Sequence, residues 1–341
     1  MFRRIYRFHD LLTVQVESRK VFYVKYFDRE FQGCKQLSEA EHIDLRVEID
    51  LPQHRLAQQW DFDHRFHRLF RARYTIDCWD KSPTILKFAS DASLHFYPLV
   101  MGAFLQTALI EPIIYWKGLH KGFLLVHSSC VDGDGVGTLI SATGGGGKTT
   151  LALQLVNRGF GFLGDDLTFV TATGEAFAYP RPLHLFTYVT KHLGFLELNP
   201  KTILTIRFKD ILRAIMWGLL HERFLISTRV DFRAVMPRRQ IVSNTRLGSL
   251  LILRSSRTPL EQIDLESDIL CEEFGEILIR NGEINAILKN QLLREPTQRA
   301  WVAAQESELV HELLHHIKRA FWLNVRAASV GEIIKILDER P

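Results

Sequence analysis

The stretch SATGGGGKTT, residues 141–150, constrains this chain more than any other feature. Upstream lies VGTLIS, a short β-branched and apolar run. Downstream, KTTLALQLVNR has good helix formers and no proline, and Gly159 stands where a helix C-cap is expected. GFGFLGDDLTFV then reads as a further buried strand, interrupted by two aspartates. The order strand, glycine loop, helix, strand predicts an α/β layer whose glycine loop opens at the carboxyl end of a strand.

Glycines allow successive backbone N–H groups to turn inward and form an anion nest, and the following helix adds its positive N-terminal end. The phosphate-loop pattern G-x-x-x-x-G-K-[ST] is met except at its first position, which is Ala142. The candidate nucleotide-binding residues are Gly144, Gly145, Gly146, Gly147, Lys148, Thr149 and Thr150. Lys148 reaches for the terminal phosphates of ATP and the Thr149 hydroxyl for Mg²⁺. A plain flexible linker would not explain a glycine run between a strand and a helix.

Composition matters mainly for what it excludes. The chain has 341 residues, 46% of them hydrophobic and 24% charged, with a net charge of +4. A sizeable core is affordable in size, global disorder is not expected, and the charge gives no basic stripe for nucleic acid. Cys34, Cys78, Cys130 and Cys271 form no C-x-x-C pair, which suits a reducing, cytoplasmic protein. The N-terminus MFRRIYRFHDLL lacks the apolar run of a signal peptide. Residues 92–110 carry no formal charge, but His95, Pro98 and Gln106 interrupt them, so a buried helix is expected and not a membrane span.

Three regions are expected: residues 1–120, an N-terminal α+β region; 121–260, the core holding the glycine loop; and 261–341, a helical C-terminal region. TVQVES and KVFYVKYF read as strands, residues 99–117 as a helix, and LGSLLILR as a core strand. Asp132-Gly133-Asp134-Gly135 reads as a tight hairpin turn.

The flanks of the loop narrow its use. His127 lies 21 residues before Lys148, Arg158-Gly159 closes the loop helix, and Asp166 lies 18 residues after Lys148. With these landmarks, VHSSCVDGDGVGTLISATGGGGKTTLALQLVNRGFGFLGDD resembles the core of the HPr kinase/phosphorylase family and of the wider set of related kinases. The match runs from residue 123 to about 170. It implies an α/β fold with a phosphate-loop kinase core of the HPr kinase C-terminal-domain type, a β-rich N-terminal region beside it and a helical region after it.

In the resemblance, Asp166 takes the proton of an acceptor hydroxyl, Asp165 lies close to the metal, Lys148 and Thr149 hold phosphate and Mg²⁺, and His127 is the active-site histidine. Adjacent strand residues point to opposite faces, so both aspartates can serve one site only where the strand opens into a loop. Arg181, in AYPRPLHL, is a candidate contact to phosphate or acceptor. Arg238, Arg239 and Arg246 are further candidates to neutralise the transferring phosphate. The family's E-x-R-G signature is absent, and Glu197 is no secure substitute for its glutamate. The reverse, phosphorylase reaction and recognition of HPr therefore do not carry over.

HELLH at 311–315 matches the H-E-x-x-H zinc-protease pattern. Leu309, Val310, Leu313, Leu314, Ile317, Ala320 and Phe321 instead read as the apolar stripe of an amphipathic helix whose wet side carries His311, Glu312 and His315. The expectation is thus an ATP- and Mg²⁺-dependent kinase acting on a hydroxyl, most simply a serine of a protein or peptide. A homo-oligomer is left open. The alternatives are a nucleotide-binding switch or ATPase without an acceptor, and a phosphoenolpyruvate-carboxykinase-like enzyme.

Overall fold

KVFYVKYF shows how tertiary packing overrides local preference. Despite its aromatic and β-branched content, residues Val21–Glu30 form a helix, not the expected strand. Its buried side chains, Tyr23, Val24, Tyr26, Phe27 and Glu30, fall at helical spacing, so the helix covers a sheet with one continuous face. The computed structural model describes residues 1–51, 60–66, 70–79, 81–90, 97–142, 146–220, 228–254, 260–264, 296–324 and 328–338. Gly144 and Gly145, two of the expected loop glycines, lie outside the described residues. The chain divides into two units, Met1–Lys121 and Gly122–Pro341.

The first unit is a seven-stranded mixed sheet. Its strands are β1 (Phe2–Phe8), β2 (Leu12–Ser18), β3 (Lys35–Leu37), β4 (Leu45–Ile49), β5 (Phe62–Phe66), β6 (Phe70–Asp77) and β7 (Thr84–Ser90), in the order β3-β1-β2-β4-β7-β6-β5. TVQVES is β2, as its alternation predicts. A helical run then covers Tyr97–Lys121, with a π-helical segment at Leu105–Ile110. The part from Leu99 is long and apolar enough to cross a membrane, but 67% of its apolar window is buried inside the molecule. Its polar groups are paired accordingly: Tyr26 Oη donates to Gln106 Oε1 at 2.8 Å, and Gln106 Nε2 to Glu111 Oε1 at 3.1 Å.

The second unit carries the glycine loop. Its strands are β8 (Phe123–Val126), β9 (Ser128–Gly133), β10 (Val136–Ala142), β11 (Gly161–Gly164), β12 (Thr168–Thr171), β13 (Glu175–Ala178), β14 (Leu183–Leu185), β15 (Thr228–Val230), β16 (Asn244–Leu253), β17 (Leu260–Gln262) and β18 (Arg319–Leu323). Nine of them make one sheet, β11-β9-β10-β16-β13-β12-β8, with β18 added to β16 and β17 to β18. Only His127 separates β8, at one end of that path, from β9 near the other, so the sheet curls to bring its ends together. The Asp-Gly turn is a two-residue hairpin loop, Asp134 and Gly135 both having positive φ, 52° and 85°.

β10 and β16 are parallel, and the loop helix Lys148–Asn157 returns from the end of β10 onto the sheet. Leu151, Ala152, Leu155 and Val156 are buried there with Ile140, Leu251 and Phe321. Each large apolar side chain so buried stabilises the layer by about 1.5–3 kcal/mol. The helix ends as expected, with Gly159 at φ 114° just past it.

The C-terminal region departs from expectation. The helix Pro296–Leu314 stops three residues before Ile317, and Arg319–Leu323 is a strand running parallel to Ser249–Leu253 of β16. Ala320 and Phe321 are therefore sheet core, not part of a helical stripe. A short strand buried on both faces has no period-two signature, and one preceded by a helix reads as its continuation.

Candidate active site

Asp165 and Asp166 reach one place because the backbone turns sharply between β11 and β12. Leu167 N donates to Asp165 O at 2.9 Å across Asp166, whose φ is +71°. That is a three-residue γ-turn with its central residue in the left-handed region, which only a few non-glycine residues tolerate. Aspartate is among the more tolerant, and the strain sits at the residue singled out for chemistry. GFGFLGDDLTFV is thus two strands joined by this turn, not one interrupted strand.

The buried Asp165 faces the loop helix. Thr149 Oγ1 donates to its Oδ1 and Oδ2, 3.0 and 3.1 Å away, and Ser129 Oγ on β9 donates to Oδ1 at 2.7 Å. Burial raises the Asp165 pKa above the usual carboxylate value, and the Asp166 charge adds to this against the two hydroxyl hydrogen bonds and Lys148. Asp166 behaves in the opposite way. Burial pushes its pKa up, but the His127 hydrogen bond and the Arg181 charge win and hold it well below the usual range. His127 Nε2 lies 3.0 Å from its Oδ1, and Arg181 Nη1 donates to its Oδ2 at 2.6 Å.

Arg181 is set for this by its neighbours. Its own N–H donates to Tyr179 O at 2.8 Å, a three-residue turn around Pro180, and its side chain is only 5% exposed. Lys148 opens the loop helix directly after Gly147, which has φ 95° and ψ 10° and so requires glycine. Lys148 Nζ donates to Ala142 O at 3.0 Å and lies 3.2 Å from His127 Nε2. Burial lowers the Lys148 pKa, while the charges of Asp166 and Asp165 oppose that.

His127 Nε2 cannot serve both neighbours with a single proton. The ionised Asp166 needs a donor, so the proton belongs on Nε2 facing Asp166. Lys148 is then a second donor at the same nitrogen, held in place by the Ala142 carbonyl. Phosphate oxygens arriving at the loop would give the ammonium a better set of acceptors.

The structure brings together His127, Lys148, Thr149, Asp165, Asp166 and Arg181 of the sequence-predicted set. Thr150 is the third residue of the loop helix and half-buried. Arg238, Arg239 and Glu197 are elsewhere. They line a cavity of about 330 Å³ with Asn157, and Arg239 Nη2 donates to Asn157 O at 2.6 Å. Asn157 ends the loop helix, roughly 13 Å along its axis from Lys148 at 1.5 Å per residue. Arg246 pairs with Val136 at the start of β10, whereas the loop leaves the other end of that strand. None of these arginines faces the site.

Two residues escaped the sequence reading. Ser129 had little to mark it, since Ser128 beside it and Asp132 are polar residues of the same strand. His184, on β14, stands beside Arg181 and Asp166; burial and then the Arg181 charge push its pKa down to about 3, so it is neutral. Its only signal was position, three residues after Arg181 in AYPRPLHL.

Of the H-E-x-x-H residues, His311 and Glu312 are exposed on the last turn of the helix and His315 just past its end, the two imidazole Nε2 atoms 3.2 Å apart. Among the described residues, no group of three or more His, Cys, Asp or Glu side chains is placed to hold a metal alone. The site's own oxygen donors, Thr149 Oγ1 and the Asp165 carboxylate, fit Mg²⁺, which takes one or two protein ligands plus phosphate and water.

No family model matches the chain. A stretch of 95 residues is 32% identical to the HPr kinase/phosphorylase of Chlorobium limicola (strain DSM 245 / NBRC 103803 / 6330), covering 28% of this chain and 28% of that one. The chain thus matches little more than a quarter of the length of this relative. Among solved structures, the Hpr(Ser) kinase/phosphatase from Coxiella burnetii aligns at 14% identity with a TM-score of 0.20, covering 42% of this chain and 66% of that chain. That overlay is too loose to support a fold assignment. The resemblance carried by His127, the glycine run, Arg158-Gly159 and the aspartate pair agrees with this partial match, and the chain is similar to the HPr kinase/phosphorylase family.

Proposed function

We propose that the Gly122–Pro341 unit is an ATP-dependent kinase with a phosphate-loop core, passing the γ-phosphoryl group to a hydroxyl, a serine of a protein or peptide. The observation that carries this reading is Asp166, held ionised between His127 and Arg181 in a strained turn next to Lys148 and Thr149. A hydrolase would turn the same carboxylate to a water; the 95-residue match to an HPr kinase/phosphorylase favours a hydroxyl acceptor. The bound nucleotide supplies the phosphoryl group and Mg²⁺ the neutralisation of its charge.

Every other part falls to the chain itself. The loop amides and Lys148 hold the phosphate chain, and Thr149 and Asp165 hold the metal. A divalent cation held by Asp165 would supply the charge that burial leaves uncompensated there. Asp166 is too weak a base to strip a serine ahead of transfer, so it orients the hydroxyl and accepts its proton late, as the bond to phosphorus forms. His127 donates to Asp166 and fixes its rotamer. Arg181, bonded to Asp166 Oδ2, would also neutralise charge on the transferring group. A reducing, cytoplasmic setting belongs to this proposal, since Cys34, Cys78 and Cys130 are free thiols.

The test is phosphoryl transfer from labelled ATP with Mg²⁺ to a panel of serine-containing peptides and proteins. Asp166→Asn is the right variant, because asparagine tolerates positive φ and keeps the shape. We expect transfer to fall by roughly 10³-fold or more, with ATP affinity changed by only a few-fold. ATP hydrolysis with no acceptor, unchanged by Asp166→Asn, would favour a nucleotide switch and sink the kinase.

A further inference from the structure

β14 and β15 pair as a two-stranded antiparallel sheet, with Leu183, His184 and Leu185 opposite Val230, Arg229 and Thr228. Leu183 and Leu185 are buried in the core around the loop helix, and Val230 packs against it. Alternation along a strand therefore turns His184 and Arg229 to the other face, as a directly opposed pair with Cβ atoms about 4.5–5.5 Å apart. The charges that act most on His184 are those of Arg181, Asp166, Arg229 and Lys209. Arg181 and Asp166 answer one another, which leaves Arg229 and Lys209 to set the sign. The acidic groups next to these two in sequence are committed elsewhere. Asp210 accepts from Thr187 N at 2.7 Å and from Arg213 Nη2 at 3.0 Å, and Asp231 caps the helix Phe232–Val235 through Arg233 N. The His184 ring is partly exposed, yet its Nε2 is buried and meets no hydrogen-bond partner among the described residues. Such an orphan costs about 1–3 kcal/mol, and a functional site is one explanation for keeping it. This side is open to solvent: Tyr188, stacked on Phe186 and within the field of both aspartates, is 50% exposed.

We propose that His184 and Arg229 read an acidic side chain of the acceptor, an aspartate or glutamate within roughly two residues of its serine, since an extended chain advances ~3.3 Å per residue. The proposal rests on the kinase reading of the site. Position carries the choice of ligand. The phosphates of the nucleotide have their own donors in the glycine loop and Lys148, whereas His184 stands with Asp166 and Arg181, where the acceptor hydroxyl arrives. Arg229 offers a carboxylate a charge-assisted, bidentate contact, and the neutral His184 imidazole adds one N–H. An acidic neighbour therefore draws the serine towards Asp166, and a basic one is repelled.

Peptides that differ only beside the serine, carrying glutamate, glutamine or lysine there, test this with the full chain. Transfer is measured with labelled ATP and Mg²⁺, and binding by fluorescence anisotropy of the same peptides with alanine in place of serine. Wild type is expected to favour the glutamate peptide over its glutamine twin by roughly 10-fold, mainly in KM. Arg229→Gln is expected to erase that preference, and Arg229→Glu to turn it towards the lysine peptide, a reversal that mere structural damage does not produce. His184→Gln is expected to weaken the preference without reversing it. Unchanged melting temperatures show that the variants fold. Transfer or binding indifferent to the neighbouring charge overturns the proposal, as does Arg229→Glu without a reversal. An effect of Arg229→Gln confined to the KM for ATP also overturns it, by placing the pair on the nucleotide's phosphates. Glutamate peptides bound preferentially through Arg229 but never phosphorylated support the acidic-ligand site and sink the kinase reading instead.

Discussion

Asp165 and Asp166 are neighbours with opposite electrostatics, and this separates their roles. Asp165 has lost its water to burial and has only hydroxyls and a distant lysine in exchange. Its folded pKa lies above its unfolded value, so the ionised form destabilises the fold as pH rises through that range. Asp165→Asn removes the charge while keeping an acceptor for Ser129 and a donor for Thr149. At neutral pH its melting temperature is expected to exceed that of wild type by several degrees, the gap closing as pH falls below the unfolded carboxylate pKa. Calorimetry across pH checks this. The same variant is expected to lose Mg²⁺-dependent tightening of ATP binding, measured by calorimetric titration with and without the ion. A melting temperature that drops at neutral pH would mean Asp165 is stabilised as an anion by something other than a cation. The sequence named these residues, because a short polar pair in an apolar strand stands out. It could not separate them, since burial and the reach of Arg181 and His127 depend on strands brought in from elsewhere.

At the scale of elements, glycines mark where chain segments crowd each other. Gly174 turns the chain between β12 and β13 with φ +76°, and a Cβ there would run into the side chain of His316, just past the end of the helix Pro296–Leu314. Gly174→Ala combines a disfavoured backbone with a clash, and is expected to cost about 1–3 kcal/mol in a denaturation curve. Loss of less than about 0.5 kcal/mol would show that His316 swings away freely. Nothing in the sequence around Gly174 announces this contact, because its partner is more than a hundred residues away. By contrast the hairpin at Asp134-Gly135, the loop helix and its glycine stop were legible, since each follows from residues within a turn of one another. KVFYVKYF and RAFWL misled in the same way: their own preferences were overruled by the surface each had to cover or extend.

Over the whole molecule, the kinase proposal predicts that activity resides in one part. Residues Gly122–Pro341 contain the loop, every residue gathered around Asp166, and a core of their own. Expressed alone, they are expected to unfold cooperatively and bind ATP within a few-fold of the full chain, as calorimetry and titration would show. Failure to fold would mean that the first unit supplies part of the core.

The amino-acid order alone determined the chemistry on offer: a glycine nest before a helix, a lysine and threonine at its mouth, and a carboxylate pair a fixed distance on. Those features are local, and backbone geometry places them whatever the rest of the chain does. Only the tertiary structure decided which cation meets which carboxylate, and that Arg181 faces the site while Arg238, Arg239 and Arg246 do not. It also gave the second sheet a strand from the far end of the chain. The reason is physical: charge pairing and burial depend on through-space distance, which a curled sheet sets by joining segments that the sequence keeps far apart.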